Sequence, residues 1–317
     1  MPISISGTTG VSLAGQFDSA STFGFKNRII NGAMMIDQRN AGASQSVAVN
    51  TKVYTVDRWY CAPIGNGVTT QQVAGSGSTQ YRFQVTGASG VTNIYVGQPI
   101  EQKNCYDLAG QTVTVSLDLA NSLLTTVSWS VSYAASTDNW SSNPTTIASG
   151  SITVNSTVTR YSFQVAIPAA ATTGLRLELS VGAQTSGTWT IGNVQLEKGS
   201  TATSFDYRPY GTELMLCQRY YQKLVNNAQS PAGYGNVDTA SAFQVTIPTA
   251  VQMRATPTYT DDTGRFRYQG NNITPSGYTP YAVNSNLFNM LASTSGASLN
   301  YAGTFTVGTG ASLSSEL

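Results

Sequence analysis

Residues 93–119 read NIYVGQPIEQKNCYDLAGQTVTVSLDL, and residues 174–199 read GLRLELSVGAQTSGTWTIGNVQLEKG. In the first, Val113, Val115, Leu117 and Leu119 alternate with Thr112, Thr114, Ser116 and Asp118. That period of two marks a half-buried strand, and Ala109-Gly110 supplies the turn before it. In the second, Leu175, Leu177, Leu179 and Val181 share one face. A Gly/Ser turn follows, then Trp189 with Ile191 and Val194 with Leu196. Two such strand systems with polar turns predict an all-β chain built on a β-sandwich.

The rest of the sequence extends that pattern. Residues 53–60, VYTVDRWY, read as a strand with Trp59 in the core and Asp57 and Arg58 tying strand ends. Tyr81, Phe83 and Val85 alternate, as do Val127, Trp129, Val131 and Tyr133, and then Tyr161, Phe163, Val165 and Ile167. Ile29 and Ile30 read as a short strand before the turn pair Asn31-Gly32. From Ile29 to Leu196 this gives eight to ten strands at the spacing of a sandwich. Residues 199–211 read as a boundary, followed by the one helix candidate, Thr212 to Lys223, capped by Thr212 or Gly211. Tyr220 and Tyr221 either close that helix or begin a strand. Beyond it, Phe243, Val245 and Ile247 alternate, Phe266 and Tyr268 form a short strand, and Leu299 to Val307 suggest a hairpin around Ala302-Gly303. The expected organisation is an arm over 1–25, a jelly roll over 26–210 and a second small β-domain over 211–317, with the short helix near the junction.

Composition excludes several chemistries. Charged residues are 10% of the 317, and the net charge is +1, so no electrostatic footprint for nucleic acid appears. The aromatic-basic stretches around Lys223, Arg265 and Arg267 then read as surface or interface. There is no histidine, which removes Ser-His-Asp triads, Cys-His dyads and most zinc sites. Cys61, Cys105 and Cys217 show no CxxC spacing and are expected to be unpaired buried thiols of a protein folded in a reducing cytoplasm. The start, MPISISGTTG, lacks the pattern of a signal peptide. No apolar run is long enough to span a membrane as a helix, so no membrane insertion is expected.

The arm is too polar for a core of its own. It carries Ile3, Ile5, Val11, Leu13, Phe17, Phe23 and Phe25, and such a segment is either disordered or ordered by docking on another chain. Three phenylalanines favour docking. Trp140 is the glycan-binding candidate, because Asp138, Asn139 and Asn143 surround it with planar polar groups. Sugars stack an apolar ring face on an aromatic and hydrogen-bond through their hydroxyls. The other reading is that Trp140 covers one end of the sandwich or an interface. Asp18, Asp37, Asp57, Glu101, Asp118, Glu197, Asp261 and Asp262 are scattered. The sequence places no two of them across a cleft as a glycosidase requires, so no catalytic residue is assigned and the chain is not read as an enzyme.

Three runs carry a resemblance. IINGAMMIDQR (29–39) followed by YTVDRW (54–59), GQPIE (97–101) with LAGQTVTVSLDL (108–119), and GNVQLEKGSTATSFDYRPYGTELMLCQRYYQ (192–222) resemble bacteriophage tail and virion structural proteins. They are also similar to the carbohydrate-binding jelly rolls grouped with galactose-binding-like domains. SLSSEL (312–317) is similar to the C-termini of phage tail-fibre proteins. The resemblance covers roughly residues 27–225, and the C-terminal domain loosely. It implies a virion protein assembled in the host cytoplasm, a homo-oligomer and usually a trimer, attached to other virion proteins, here through the N-terminal arm. The first expectation is a tail-fibre or receptor-binding component that meets a host surface glycan. The alternative is a capsid decoration, cement or head-fibre protein. A polysaccharide-degrading spike is disfavoured by the short chain and the lack of a repeat. No cofactor is expected beyond the structural calcium that such jelly rolls often hold, for which Asn31, Asn193 and Glu197 are the candidate ligands.

Overall fold

The computed structural model describes residues 3–6, 10–13, 25–76, 79–225, 230–239, 241–261, 265–268, 271–284, 287–293 and 302–317. The chain is all-β, with one helix among the described residues. A hairpin of β1 (Ile3–Ser6) and β2 (Gly10–Leu13) opens it, pairing Ile3 with Leu13 and Ile5 with Val11.

The sandwich uses twelve strands. In chain order they are β3 (Gln45–Val47), β4 (Val53–Tyr54), β5 (Tyr60–Ile64), β6 (Val68–Ala74), β7 (Tyr81–Thr86) and β8 (Asn93–Ile100). Then come β9 (Thr112–Asn121), β10 (Thr126–Tyr133), β11 (Thr145–Thr153), β12 (Thr159–Ala166), β13 (Leu175–Val181) and β14 (Thr188–Lys198). One six-stranded antiparallel sheet runs β11-β10-β13-β8-β5-β4 and the other β12-β9-β14-β7-β6-β3. Each stretch that decides the fold gives one central strand to each sheet: β8 and β13 to the first, β9 and β14 to the second. Their apolar faces meet between the sheets in one core with Trp59, Phe83 and Trp189. Truncating a buried leucine there, such as Leu177, removes about 2–5 kcal/mol.

Three local readings are corrected. Ile29 and Ile30 form no strand but enter a turn, with Asn31 and Met34 at φ 56°. The Asn31 side chain holds that turn by bonding both backbone groups of Ile36. A Cβ on Gly32 would overlap the carbonyl oxygen of Val194, so the turn packs backbone against backbone. Residues 53–60 are not one strand: β4 and β5 flank a turn that carries Arg58 at φ 71°. Ala302 and Gly303 make no turn but lie inside a strand, opposite Asn236 and Gly235.

Helix α1 (Tyr210–Gln218) begins directly after Pro209, a residue that cannot donate to a preceding turn. Tyr220 is fully buried in the turn beyond it, and Tyr221 begins β15 (Tyr221–Lys223). The C-terminal part has a seven-stranded sheet and a three-stranded sheet made by β15, Thr258–Thr260 and Ser312–Ser314. Phe243, Phe266, Phe288, Phe305 and Leu313 fill the space between them. The two β-units are bolted together. Cys217 and Tyr220 pack on Ile30 and Ile36. Glu316, two residues from the strand Ser312–Ser314, pairs with Arg58 and, at 2.9 Å, with Arg39.

Candidate functional site

The site lies on the outer face of the second sheet. Val113, Val115, Leu117 and Leu119 of β9 point into the core, so Thr114, Ser116 and Asp118 point out. Those polar side chains are nonetheless buried. The chain leaving β14 crosses over them: Thr114 Oγ1 donates to Gly199 O at 2.8 Å, and Gln195 and Glu197 hold Thr203 and Asp206. Arg160 on β12 sits opposite Asp118 in register. It donates to Asp118 Oδ1 (3.1 Å), Ser116 Oγ (2.6 Å) and Asn193 O (2.7 Å).

Asn193 reaches this face through a bulge. The β14–β9 register shifts between Gly192 and Gln195, and Asn193 adopts φ 43°; the one extra residue turns a side chain out of the alternation. Its amide donates to Asp118 Oδ2 and to Thr79 Oγ1, both at 2.9 Å, and Thr79 also donates to Asp118 Oδ2 at 3.1 Å. Both carboxylate oxygens of Asp118 are therefore taken. Phe205 and Tyr207 meet edge to face with centroids 4.7 Å apart. The Arg160 guanidinium lies 6.0 Å from the Phe205 centroid, and the Tyr207 hydroxyl is 3.3 Å from Asn193 Oδ1.

These residues line an open cleft of about 600 Å³ with Ser76, Arg82, Val158 and Ser204, within the roughly 300–1,000 Å³ of small-ligand sites. Arg82 stands apart from the network. It is 4% exposed, yet its Nε and Nη1 have no partner, and only Nη2 reaches Thr79 Oγ1, at 3.3 Å. Burial lowers its pKa, against the pull of Asp118. Gly192 lies beneath: a Cβ there would stand 3.4 Å from the Arg82 stem. Chemically the cleft offers aromatic faces, a rim hydroxyl, two guanidinium groups and one carboxylate. Among the described residues lining it, Asp118 is the one carboxylate, and the aromatic faces and planar polar groups are of the kind that hold a polar ligand.

The residues singled out from the sequence fall elsewhere, with one exception. Trp140 is half-buried against Gly174, with the Arg176 guanidinium 5.4 Å from its ring, and it lies apart from the cleft. Asp138 Oδ1 accepts from the backbone of Gln102 at 2.7 Å. Asn139 closes a local turn by accepting from Ser141, and Asn143 is exposed. Asn31, Asn193 and Glu197 do not converge on one point. Asn31 serves its turn, Asn193 serves Asp118, and both Glu197 oxygens accept from Thr203, so their side chains are committed in three directions. Among the described residues no three His, Cys, Asp or Glu side chains gather as metal ligands. Ile3 and Ile5 lie on β1 and Val11 and Leu13 on β2; Phe17 and Phe23 lie outside the described residues; Phe25 is 63% exposed at φ 65°. Cys61, Cys105 and Cys217 are buried and unpaired, the first two in the sandwich core and the third at the junction. No helix among the described residues is long and apolar enough to cross a membrane.

Sequence reasoning missed Phe205 and Tyr207 because residues 199–211 read as a boundary, and Thr79, Arg82 and Arg160 because they read as outward positions of ordinary strands and turns. The available signal was the outward register: Arg82 between Tyr81 and Phe83, and Arg160 beside Tyr161.

No known protein family and no curated protein sequence matches this chain. Among solved structures it is similar to the enzymatically active domain of tailspike protein 4 of bacteriophage CBA120, at 14% identity and TM-score 0.35. That likeness covers 55% of this chain and 22% of the tailspike chain, so the matched part is under a quarter of that protein. It is also similar to a CBM4 structure (14% identity, TM-score 0.35, 53% of this chain and 98% of that one). A third likeness is to the family 11 carbohydrate-binding module from Clostridium thermocellum, solved with a mixed-linked tetrasaccharide (12% identity, TM-score 0.32, 50% and 98%).

Proposed function

We propose that this chain is a non-catalytic glycan-binding component of a bacteriophage virion, a tail-fibre or receptor-binding part attached by its N-terminal arm. The observation that carries glycan binding is the cleft itself: Phe205 and Tyr207 stand beside Arg82, Arg160, Asn193 and Asp118. A pyranose presents an apolar face to an aromatic ring and hydroxyls to fixed planar polar groups, and this cleft supplies both. The virion setting rests on the resemblance of residues 29–39, 54–59 and 192–222, which also supports a homotrimer. The arm then attaches through Ile3, Ile5, Val11, Leu13, Phe17, Phe23 and Phe25, and the glycan is one on the host surface.

The test is retention of the fluorescently labelled full-length protein on a glycan array and on host cells. Replacing Phe205 and Tyr207 together by alanine is expected to lower apparent affinity about tenfold or more, equivalent to about 1.4 kcal/mol, with little change in unfolding midpoint because Tyr207 is 48% exposed. Unchanged retention refutes the cleft as the sugar site. Antibody label on the particle's capsid surface, rather than its tail, turns the assignment to a decoration protein.

A further inference from the structure

Among the described residues lining the cleft, Arg82 is the one whose buried polar atoms the protein itself leaves without partners. It is buried, two of its three nitrogens have no partner, and no carboxylate lies within ion-pair distance of it among the described residues. Its nearest charged neighbour, Asp118, is already held by Arg160, Thr79 and Asn193 and cannot turn to it without abandoning them. Among the residues lining the cleft, two arginines face one aspartate, an excess of one positive charge. A buried cation with no ion-pair partner is costly, and such a group beside an open space is a candidate to receive an anion from a ligand.

The position of Arg82 adds a second observation. A smaller hollow of about 240 Å³ adjoins the cleft, lined among others by Ala74, Gln84, Ser122 and Thr190, and shares Ser76, Arg82 and Val158 with it. Arg82 thus stands where the two spaces meet, with unused donors at two edges of its guanidinium. Resting on the glycan reading above, we propose that the cleft selects an acidic oligosaccharide, and that Arg82 receives the carboxylate of a uronic or sialic acid residue while Phe205 and Tyr207 stack on a neighbouring sugar. A carboxylate fits because its planar oxygens match a guanidinium, and charge-assisted bonds of this kind are about twice as strong as neutral ones. A free inorganic anion would leave the aromatic rings and the second hollow unused.

The experiment compares matched neutral and uronic- or sialic-acid-bearing glycans on an array, with sulfated ones included, probed by the full-length protein. The best acidic glycan is then titrated calorimetrically, before and after chemical reduction of its carboxyl group. The expected result is retention of carboxylated glycans, at least a tenfold loss of affinity on carboxyl reduction with the wild-type protein, and a similar loss for Arg82→Met on the intact glycan only. Affinity should also fall as salt rises from 50 to 300 mM. The reduced ligand needs no variant, so misfolding of Arg82→Met does not blunt the test. Equal binding of neutral and acidic members overturns the acidic assignment and leaves the glycan site standing. Retention of sulfated glycans alone overturns the carboxylate. Retention of none, or binding indifferent to loss of Phe205 and Tyr207, removes the glycan reading and this inference with it.

Discussion

Two clusters of buried charge invite comparison: the junction between the jelly roll and the C-terminal unit, and the cleft on the outer sheet. At the junction Arg58, Arg208 and Arg219 each face a carboxylate, and Arg254 is held by the backbone carbonyls of Ser315 and Glu316. Arg58, 1% exposed, pairs with Glu316, donates to Pro99 O at 2.6 Å and lies 3.6 Å over the Tyr220 ring. Arg219 grips Glu101 through two bonds of 2.9 and 2.7 Å, and Tyr220 donates to the same carboxylate at 2.9 Å. Arg208 pairs with Glu213. These side chains leave at most one nitrogen idle. Arg82 in the cleft leaves two idle and, among the described residues, has no carboxylate within ion-pair distance. Charges that satisfy one another fix how two units sit; a charge left unsatisfied beside an open space is available to a ligand.

The largest effect that would break this comparison is at the junction. Glu316→Ala strands Arg58 in the interior, and removing one partner of a buried pair costs about 3–5 kcal/mol. Urea unfolding should show that loss. Labelling of Cys217, buried in the junction with its thiol pushed well up by burial, should accelerate before that of Cys61, which lies in the sandwich core. Unchanged midpoint and labelling would mean that the ion pairs do not hold the units together.

A smaller effect depends on pH. Asp57 accepts from Gln38 and faces Arg39, Glu316 and Asp37; burial is the main cause pushing its pKa from 3.8 up to about 7. Between those values the folded protein keeps a proton that the unfolded chain has lost. Stability therefore falls as pH rises from about 4 to 7, by at most about 1.4 kcal/mol per pH unit. Asp57→Asn should flatten the dependence of the unfolding midpoint over that range. An identical slope in the variant would show that other groups set it.

The smallest effect belongs to the cleft. Arg82→Met replaces an uncompensated cation with an apolar side chain of similar length, so the unfolding free energy should stay within about 1 kcal/mol or rise. A loss as large as that of Glu316→Ala would place Arg82 with the structural arginines and dissolve the contrast.

Much of the fold was legible in the sequence. Alternation at 113–119 and 175–181 marked which side chains enter the core, because an inward position every second residue follows from strand geometry alone. The turn at Asn31-Gly32 was legible for the same local reason. The strand read over 53–60 was not sound, since apolar content there serves a turn whose Arg58 reaches a partner 258 residues away. The site was largely illegible. Asp118 was visible only as one of many scattered carboxylates, and Phe205 and Tyr207 as part of a boundary. Asn193 was singled out, but for a metal, because nothing local reveals the bulge that turns it beside Asp118.

By itself the sequence determined the class of structure, the inward residues of the central strands, the presence of a short helix near the junction, though not its bounds, and the absence of histidine chemistry. These depend on periodicity and composition, which act over a few residues. The tertiary structure alone decided that residues 199–207 fold back over the outer sheet, that Glu316 closes the junction, and that Arg82 is left without a counter-charge. Each of those depends on residues far apart in the chain, meeting at distances and exposures that no local pattern encodes.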